Sequence, residues 1–193
     1  MSKIRLLFQR WKSFKLRLQT THRLWFIVVD TIEMIIVALF FALLIRKFIV
    51  QTSVIPSESM VSTLQIGDRL FVDKLSYRFC DPKRGDIVVF KSMEPGDKRE
   101  LVKRCVGLPG ETIVVERGVI YVDGKAVSFP GVVIARDYDF YGPYQIPQGN
   151  YFMMGDNRAY SKDSRYWGPV SRDHVLGNAW YVFWPFSRAQ LLH

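Results

Sequence analysis

The 22 residues from Leu24 to Ile45 form an apolar stretch that limits what the whole chain can be. At about 1.5 Å per residue, a helix of this length spans roughly 33 Å, enough to cross the hydrocarbon core of a bilayer. Asp30 and Glu33 share one face at one turn's spacing. They either form a buried functional pair, reach toward the headgroups, or are shielded by a neighbouring helix. The segment predicts attachment to a membrane.

The residues around this segment predict how it is used. It is too long for the apolar core of a cleaved signal peptide, and residues 46–51 contain no small-x-small cleavage site. Residues 24–47 are therefore predicted to be a retained transmembrane anchor. Residues 1–23 hold seven basic and no acidic side chains, against two basic residues directly after the segment. This asymmetry predicts a single-pass protein of the cytoplasmic membrane, with its N-terminus inside and residues 48–193 outside.

The charge of the chain is concentrated in its first 23 residues. The formal net charge is +9, of which residues 1–23 carry seven and residues 48–193 only two. A nucleic-acid-binding domain needs a basic face on its folded part, so nucleic acid is not an expected partner. Apolar residues at helical spacing in residues 3–18 predict a basic amphipathic helix that contacts membrane lipid, and a disordered basic tail is the alternative.

After residue 50 the sequence is dominated by β-branched and aromatic runs bounded by Gly and Pro. The pattern predicts a mainly β domain, a coiled antiparallel sheet or barrel-like fold, preceded by a single N-terminal transmembrane helix. Residues 125–149, rich in Gly, Pro, Tyr and Asp, are predicted to be a small insertion. No long helix is expected after residue 50. The predicted strands cover residues 69–72, 86–91, 101–106, 112–115, 119–122, 125–127, 132–135, 151–154 and 180–183, with Asp123-Gly124 closing a hairpin.

Histidines and cysteines exclude several kinds of site. No C-x-x-C or H-E-x-x-H spacing occurs, so no metal or organic cofactor is expected. Cys80 and Cys105 are expected to be free, half-buried thiols, with one disulfide as the alternative. His22 lies before the membrane segment and His193 is the last residue, which leaves His174 as the one candidate for a Ser-His-Asp site. Without a G-x-S-x-G elbow or an S-x-x-K motif, a serine with a lysine base is the better hypothesis.

Lys103 is the best candidate for such a base, because it lies inside an apolar predicted strand. A free lysine is neutral only about 0.04% of the time at pH 7. Burial disfavours the ammonium form and could lower the pKa by up to ~3–5 units. A shift of three units costs roughly 4 kcal/mol of stability, which is plausible where a neutral amine is needed as a general base. From the residues alone, a Lys103 that extends out of an edge strand or pairs with an acid is an equal alternative.

Three blocks together resemble a known family: Ile55–Leu64 (IPSESMVSTL), Leu101–Gly110 (LVKRCVGLPG) and Gly155–Arg165 (GDNRAYSKDSR). In this order they resemble the type I signal peptidases, membrane-anchored Ser/Lys proteases that remove secretory signal peptides. The resemblance runs from roughly residue 34 to residue 184. It implies a serine endopeptidase in which Ser59 is the nucleophile and Lys103 is the base.

The resemblance also implies roles for neighbouring residues. Ser57 matches a hydroxyl that joins the Ser59 backbone N–H in stabilising the oxyanion, and Ser161 matches the serine that orients the catalytic lysine. Asp163 and Arg165 match a salt-bridged pair that supports the site. The chain departs from the family at Glu58, where a small residue is frequent, and at Cys105, where a small aliphatic residue is usual.

Substrate contacts follow from the same resemblance. The residues that match the pocket lining are Ile55, Met60, Leu64 and Val102, for which ordinary core packing is an equal alternative. An extended peptide could pair with the strand edges beside them. Small pockets would favour the A-x-A pattern of secretory leaders. Ser59 lies about twelve residues beyond Lys47. Even a fully extended segment of this length reaches only about 40 Å, so the nucleophile must lie close to the membrane.

The expected partners are therefore the signal peptides of exported preproteins, membrane lipid and, as a further possibility, the secretion translocon. Four aromatic residues are expected to hold the domain near the membrane, with core packing as their alternative. These are Trp167, Trp180, Trp184 and Phe186. Two other functions stay open: a dedicated Ser/Lys processing protease of a conjugation or pilin system, and a catalytically silent, membrane-tethered β domain that binds peptides.

Overall fold

The computed structural model of the 193-residue chain describes residue 7 and residues 9–13, 23–132 and 140–192. The chain divides into two compact units, Met1–Lys47 and Phe48–His193.

The apolar segment forms one continuous helix, α1, Arg23–Phe48. Its Leu24–Phe48 part has a mean hydropathy of 2.5, and none of the most apolar window is buried within the protein. By length and composition the helix could cross a membrane, and its helical structure was predicted. Leu7 and residues 9–13 are also helical, while the rest of the predicted amphipathic helix over residues 3–18 lies outside the described residues.

The second unit consists of strands, turns and short 3₁₀ helices, and the α-helices described in it are two four-residue helices, α2 (Ser76–Phe79) and α3 (Ser164–Trp167). The prediction of a mainly β domain without a long helix is confirmed for the described residues. The strands are β1 Val50–Val54, β2 Arg69–Asp73, β3 Ile87–Lys91, β4 Glu100–Gly107, β5 Thr112–Glu116, β6 Val119–Val122, β7 Lys125–Val127, β8 Phe140–Gln145, β9 Asn150–Met154, β10 Val170–Ser171, β11 Val175–Trp184 and β12 Gln190–Leu191.

The strands form two antiparallel sheets. The larger sheet has the order β1-β2-β11-β3-β4-β9-β10, with β12 paired to β11, and the smaller one has the order β7-β6-β5-β8. Strand β11 shifts its register against both neighbours, for example between Ala179 and Tyr181. Such irregularities bend a strand and increase its twist, which lets a long sheet curl.

Tight turns close two hairpins of the smaller sheet, and the turn at Asp123-Gly124 is one that the sequence predicted. Asp123 and Gly124 both have positive φ (48° and 77°) between β6 and β7. This is the conformation that a two-residue hairpin needs and that Asp-Gly adopts readily. Arg117 and Gly118 do the same between β5 and β6, with φ of 50° and 78°.

Three buried clusters hold the second unit together, and each draws on several strands. The first lies under the Ser59 loop and includes Ile55, Met60 and Leu64 with residues of β2, β3 and β11. The second fills the smaller sheet, and the third packs behind β3, β4 and β9. Strand β3 is buried at four consecutive positions from Ile87 to Phe90, because it lies in the middle of the larger sheet.

Some local expectations differ from the structure. Strand β11 starts at Val175, five residues before the predicted strand, and β1, β8, β10 and β12 were not predicted. Val132 is not in a strand, and the rest of the predicted strand over residues 132–135 is outside the described residues. Residues 125–149 are the predicted small insertion. Their described parts, residues 125–132 and 140–149, contain β7 and β8, which pair with β6 and β5 in the smaller sheet.

The two cysteines are free, as expected, but neither is half-buried. Cys80 is exposed and Cys105 is completely buried. Burial raises the pKa of the Cys105 thiol, which keeps it protonated and inert. The expectation of two half-buried thiols is therefore wrong, because Cys105 is on a central strand and Cys80 follows the surface helix α2.

Candidate active site

A tightly hydrogen-bonded loop positions Ser59. Residues Glu58–Met60 form one 3₁₀ turn, which begins after the extended Ser57. Ile55 is tied to the far end of the loop by backbone hydrogen bonds of 3.0 Å to Asp68 O and 2.9 Å from Gly67 N. Met60 is 1% exposed in the first core cluster. The apolar anchors on either side of Ser59 thus hold a short polar segment against the sheet.

Strand β4 supplies the partner of Ser59. Lys103 is paired with Val88 of β3 and is 4% exposed, although it carries an ionisable amine. Its Nζ lies within hydrogen-bonding distance of Ser59 Oγ and donates to it. Ser59 itself is 8% exposed. Two residues that are 44 positions apart in the sequence therefore meet in a nearly closed site.

The environment of Lys103 makes its neutral form more abundant than in a free lysine. Burial lowers the pKa of this lysine to about 8, a shift that the carboxylates of Asp163 and Asp156 oppose and the Arg165 guanidinium slightly reinforces. At a pKa near 8, about one lysine in ten is neutral at pH 7, against roughly one in three thousand at the ordinary value of 10.5. Lys103 makes no ion pair with any described residue. The amine is consequently available as a base for the hydroxyl beside it.

Ser57 is the second hydroxyl at this position. Its Oγ is 3.3 Å from Ser59 Oγ, and the geometry permits either atom to donate. The backbone of Ser57 is extended, with φ of −140° and ψ of 164°. The hydroxyl therefore stands directly beside the candidate nucleophile.

The segment after β9 closes over the Ser59 loop. Asn157 donates from its backbone N to Ser59 O at 3.1 Å and from its Nδ2 to Glu58 O at 3.2 Å. A Cβ atom at Gly155 would lie 2.5 Å from Ser59 O and would also clash with Ser161. Glycine is therefore required at residue 155 for this close approach. Sequence reasoning did not single out Asn157, although it lies in the G-D-N-R block.

Ser161 lies at this contact but does not make the predicted hydrogen bond to Lys103. Its side chain is buried, and its Oγ has no hydrogen-bond partner among the described residues. Ser161 and Ser59 both lie close to Gly155, because a Cβ atom at residue 155 would clash with both of them. In this conformation the amine of Lys103 is directed to Ser59.

Asp163 and Arg165 form a buried ion pair directly behind this segment. The distance from Arg165 Nε to Asp163 Oδ1 is 2.9 Å, and the side chains are 5% and 0% exposed. Asp163 also accepts from the backbone N of Gly155 at 3.0 Å, and Arg165 donates to Arg158 O at 2.7 Å. The pair thereby fixes the path of residues 155–165, which is the path that brings Asn157 and Ser161 to Ser59.

A second buried ion pair, which the sequence analysis missed, lies beside the first. Arg104 donates to both carboxylate oxygens of Asp156 at 2.9 and 2.7 Å, and the two side chains are 2% and 1% exposed. Thr63 Oγ1 donates to the same carboxylate at 2.5 Å. The sequence does contain a signal for this pair. Arg104 lies in a strand with apolar residues on both faces, and a buried arginine must pair with a carboxylate or remain as an unpaired buried charge. The three residues join all three sequence blocks.

Two cavities border Ser57, Ser59, Leu101 and Lys103. The smaller has a volume of about 30 Å³, and three of the four predicted pocket residues (Ile55, Met60 and Val102) are in its lining. The fourth, Leu64, is fully buried in the first core cluster and does not line this cavity. The larger cavity, of about 300 Å³, is lined mostly by polar and charged side chains.

In the part of the chain that the structure describes, no three His, Cys, Asp or Glu side chains are grouped as metal ligands would be.

Comparison with protein families gives one match over most of the chain. The model described as "Signal peptidase, peptidase S26" matches residues 28–184. This chain belongs to the S26 signal peptidase family. S26 members are serine endopeptidases with a Ser/Lys dyad, so the expected enzyme class is confirmed.

Individual S26 proteins are similar over nearly the same range. A probable signal peptidase I-2 of Synechocystis is 42% identical over 81% of this chain and 73% of its own length. Signal peptidase I T of Bacillus subtilis is 38% identical over 79% of this chain and 83% of its own. A crystal structure of a signal peptidase I from Enterococcus faecalis matches 51% of this chain and 97% of that one, at 30% identity and a TM-score of 0.43.

Proposed function

We propose that this S26 protein is a type I signal peptidase in which Ser59 is the nucleophile and Lys103 is the general base. The observation that carries the proposal is the contact between Lys103 Nζ and Ser59 Oγ inside a buried site, combined with a lysine pKa of about 8. A lysine held in an ion pair would stay charged, whereas this one has a hydroxyl as its partner. Burial thus supplies the base that a histidine supplies in other serine proteases.

In the acylation step, neutral Lys103 takes the proton from the Ser59 hydroxyl while Oγ attacks the scissile carbonyl carbon. The resulting tetrahedral intermediate collapses, the C–N bond breaks, and the Lys103 ammonium returns the proton to the leaving amine. The released amine is the N-terminus of the mature protein, and the signal peptide stays attached to Ser59 as an ester. Water then attacks this ester while Lys103 takes a proton from the water. The bond between the acyl carbon and Ser59 Oγ breaks, Lys103 returns the proton to Oγ, and the signal peptide leaves with a free carboxyl terminus.

The oxyanion of each intermediate is stabilised by the Ser59 backbone N–H and by the Ser57 hydroxyl, whose Oγ lies 3.3 Å from Ser59 Oγ. One such donor is typically worth about 2.7–4 kcal/mol of barrier. Ser57→Ala should therefore lower kcat by about a hundredfold or more while leaving measurable activity. KM should change little, because the donor acts on the charge of the intermediate.

Ser161, Asp163 and Arg165 are positioning residues in this proposal. The Asp163–Arg165 pair keeps residues 155–165 against the Ser59 loop. Ser161 Oγ has no hydrogen-bond partner among the described residues, and it is a candidate partner for the Lys103 ammonium once that group turns from Ser59. Such a partner would stabilise the charged lysine formed during acylation. Ser161→Ala should accordingly lower kcat, and Ser161→Thr should restore part of the loss if the hydroxyl is the active feature.

The substrate in this proposal is the end of a signal peptide, bound in an extended conformation beside β4. The small cavity lined by Ile55, Met60 and Val102 is large enough only for a short side chain. It suits Ala, Gly or Ser directly before the cut, and a second small residue two positions earlier faces the same side because side chains alternate along an extended peptide. This is the A-x-A pattern of secretory leaders.

The membrane arrangement is part of the same proposal. Helix α1 is the single transmembrane anchor, the basic N-terminal residues are in the cytoplasm, and residues 48–193 are outside. Lipid contact is supported by exposed aromatic side chains: Trp180 is 40%, Trp184 is 46% and Phe186 is 78% exposed, whereas Trp167 is half-buried. The secretion translocon would deliver the substrate to this surface.

The decisive experiment is incubation of the detergent-solubilised full chain with a secretory preprotein, followed by N-terminal sequencing of the product. Release of the mature N-terminus after an A-x-A site, lost in Ser59→Ala, is expected. Cleavage of one pilin-like substrate and of no general preprotein would point to a dedicated processing protease. Binding without cleavage, and no labelling by a serine-directed acylating probe, would point to a peptide-binding domain.

A further inference from the structure

We infer that the larger cavity beside the dyad is a charge-selective subsite that favours an acidic side chain next to the residue in the small cavity. This inference rests on the proposed function and adds a specificity to it. The cavity has a volume of about 300 Å³ and lies between the β3–β4 hairpin and the segment before α3. Its lining includes Arg99, Lys162, Tyr160 and Trp167.

The position of the cavity decides which substrate residues can reach it. It shares Ser57, Ser59, Leu101 and Lys103 with the small cavity, so both cavities border the reacting atoms. Successive side chains of an extended peptide point in opposite directions. When the residue before the cut enters the small cavity, its two neighbours are directed to the other side. These are the penultimate residue of the signal peptide and the first residue of the mature protein.

The charges of the cavity are arranged with the cations outermost. Lys162 forms an ion pair with Glu94, and their side chains are 65% and 35% exposed. Arg99 pairs with Asp97 at 2.9 Å, with side-chain exposures of 75% and 15%. Asp97 is further held by the backbone N of Arg99 at 3.0 Å. An arriving side chain therefore meets the two cations before it meets their acidic partners.

Neutral donors in the lining point to the same ligand. The indole N–H of Trp167 is buried and has no hydrogen-bond acceptor among the described residues. Tyr160 is 71% exposed and adds a phenolic O–H. A carboxylate only accepts hydrogen bonds, whereas an ammonium or guanidinium only donates them. The two exposed cations therefore favour Asp or Glu over Lys or Arg, and the exposed Tyr160 hydroxyl can donate to a carboxylate.

The existing ion pairs do not prevent such binding. Solvent-exposed pairs are worth at most about 1 kcal/mol, so Lys162 can exchange Glu94 for a substrate carboxylate at little cost. The same limit sets the size of the preference, which should reach about twofold to fivefold in kcat/KM at low salt. Raising the ionic strength should reduce it, because exposed charges are screened.

The test uses the full-length chain in detergent and peptides that span a signal-peptide cleavage site with Ala before the cut. The peptides differ only in carrying Asp, Asn or Lys at one of the two neighbouring positions, which shows which position the cavity reads. The ratio of kcat/KM for the Asp and Lys peptides is measured for the wild type and for Lys162→Glu. Lys125→Glu is the matched control, because Lys125 is exposed on β7 outside the cavity and the change in net charge is the same.

The wild type should prefer the Asp peptide at one position, Lys162→Glu should bring the ratio to one or below, and Lys125→Glu should leave the ratio unchanged. Arg99→Gln should lower the ratio to a smaller extent. Equal cleavage of Asp and Lys peptides by the wild type, or the same ratio in Lys162→Glu and Lys125→Glu, would overturn the subsite while the proposed function stands. If the wild type cleaves none of the peptides and no preprotein, the proposed function fails and the subsite with it.

Discussion

Lys103 and Arg104 are neighbours on β4, are 4% and 1% exposed, and meet very different partners. Lys103 faces the hydroxyl of Ser59, whereas Arg104 faces the carboxylate of Asp156 and is held by two hydrogen bonds from its guanidinium. The lysine is thereby left with a lowered pKa, and the arginine has its charge compensated. The difference shows how one strand can carry a reactive cation on one face and a structural cation on the other.

The identity of each cation fits its partner. An amine can lose its proton when it is buried, so lysine can serve as a base, while a guanidinium stays charged and matches the two oxygens of a carboxylate. Exchanging the two residue types would leave Ser59 without a base and Asp156 with a single-point contact. Removing the Lys103 side chain is therefore expected to abolish activity, whereas breaking the Arg104–Asp156 pair is expected to lower stability.

The largest expected effect is the loss of turnover on the Lys103 side. Ser59→Ala and Lys103→Ala should each lower kcat by at least about a thousandfold, because the two residues act as one unit. The double variant should be no less active than either single variant. Preprotein cleavage measures the rates, and circular dichroism checks that each variant is folded. A Lys103→Ala variant with wild-type activity would exclude the dyad.

The next effect is a loss of stability on the Arg104 side. Asp156→Asn leaves a buried guanidinium without its carboxylate, which should cost about 3–5 kcal/mol of unfolding free energy. At about 2–4 °C per kcal/mol, the Tm of the second unit should fall by at least about 6 °C. Calorimetry of the detergent-solubilised chain measures this. The double variant Arg104→Met/Asp156→Leu should recover much of the loss, and an Asp156→Asn protein as stable as the wild type would show that the pair is dispensable.

A gain of stability is expected for Lys103→Met, in contrast to Asp156→Asn. The folded pKa of Lys103 is about 8 and its ordinary value is 10.5, so keeping this amine buried costs about 3 kcal/mol where the unfolded chain holds the proton. The cost is complete below pH 8 and fades as the pH rises from about 8 to 10.5, since the unfolded state binds more protons in this range. The Tm gain of Lys103→Met should therefore be large at pH 6.5 and small at pH 10. A gain that does not depend on pH would argue against a lysine with a lowered pKa.

The smallest effect is the pH dependence of the wild type. Since the neutral form of Lys103 is the base, kcat/KM should rise through a pKa of about 8 and be roughly a tenth of its plateau at pH 7. Arg104→Lys should leave this midpoint in place if residue 104 has a structural role. Measurement of the cleavage of one peptide from pH 6 to pH 10 gives the midpoint. A flat profile over this range would mean that the ionisation of Lys103 does not limit the rate.

Local patterns explain why much of the fold could be predicted. The run of apolar residues defines α1, β-branched residues define the strands around Lys103, and Asp123-Gly124 defines a hairpin turn, because each depends on the residues within one element. Strand β1 was missed because Val50–Val54 alternates weakly and directly follows the helix. Residues 140–145 contain Gly and Pro, so β8 had no strand pattern.

The sequence by itself determined which residues are candidates for chemistry, through the three blocks and the family resemblance that they carry. Only the tertiary structure decided which of them touch: Lys103 reaches Ser59 across 44 positions and Arg104 reaches Asp156 across 52, while Ser161 Oγ has no hydrogen-bond partner in the part of the chain that the structure describes. These pairings depend on strand register and on how the segment after β9 packs over the Ser59 loop. Neither is encoded in a local pattern, because the free energy that fixes them comes from burying distant parts of the chain against each other.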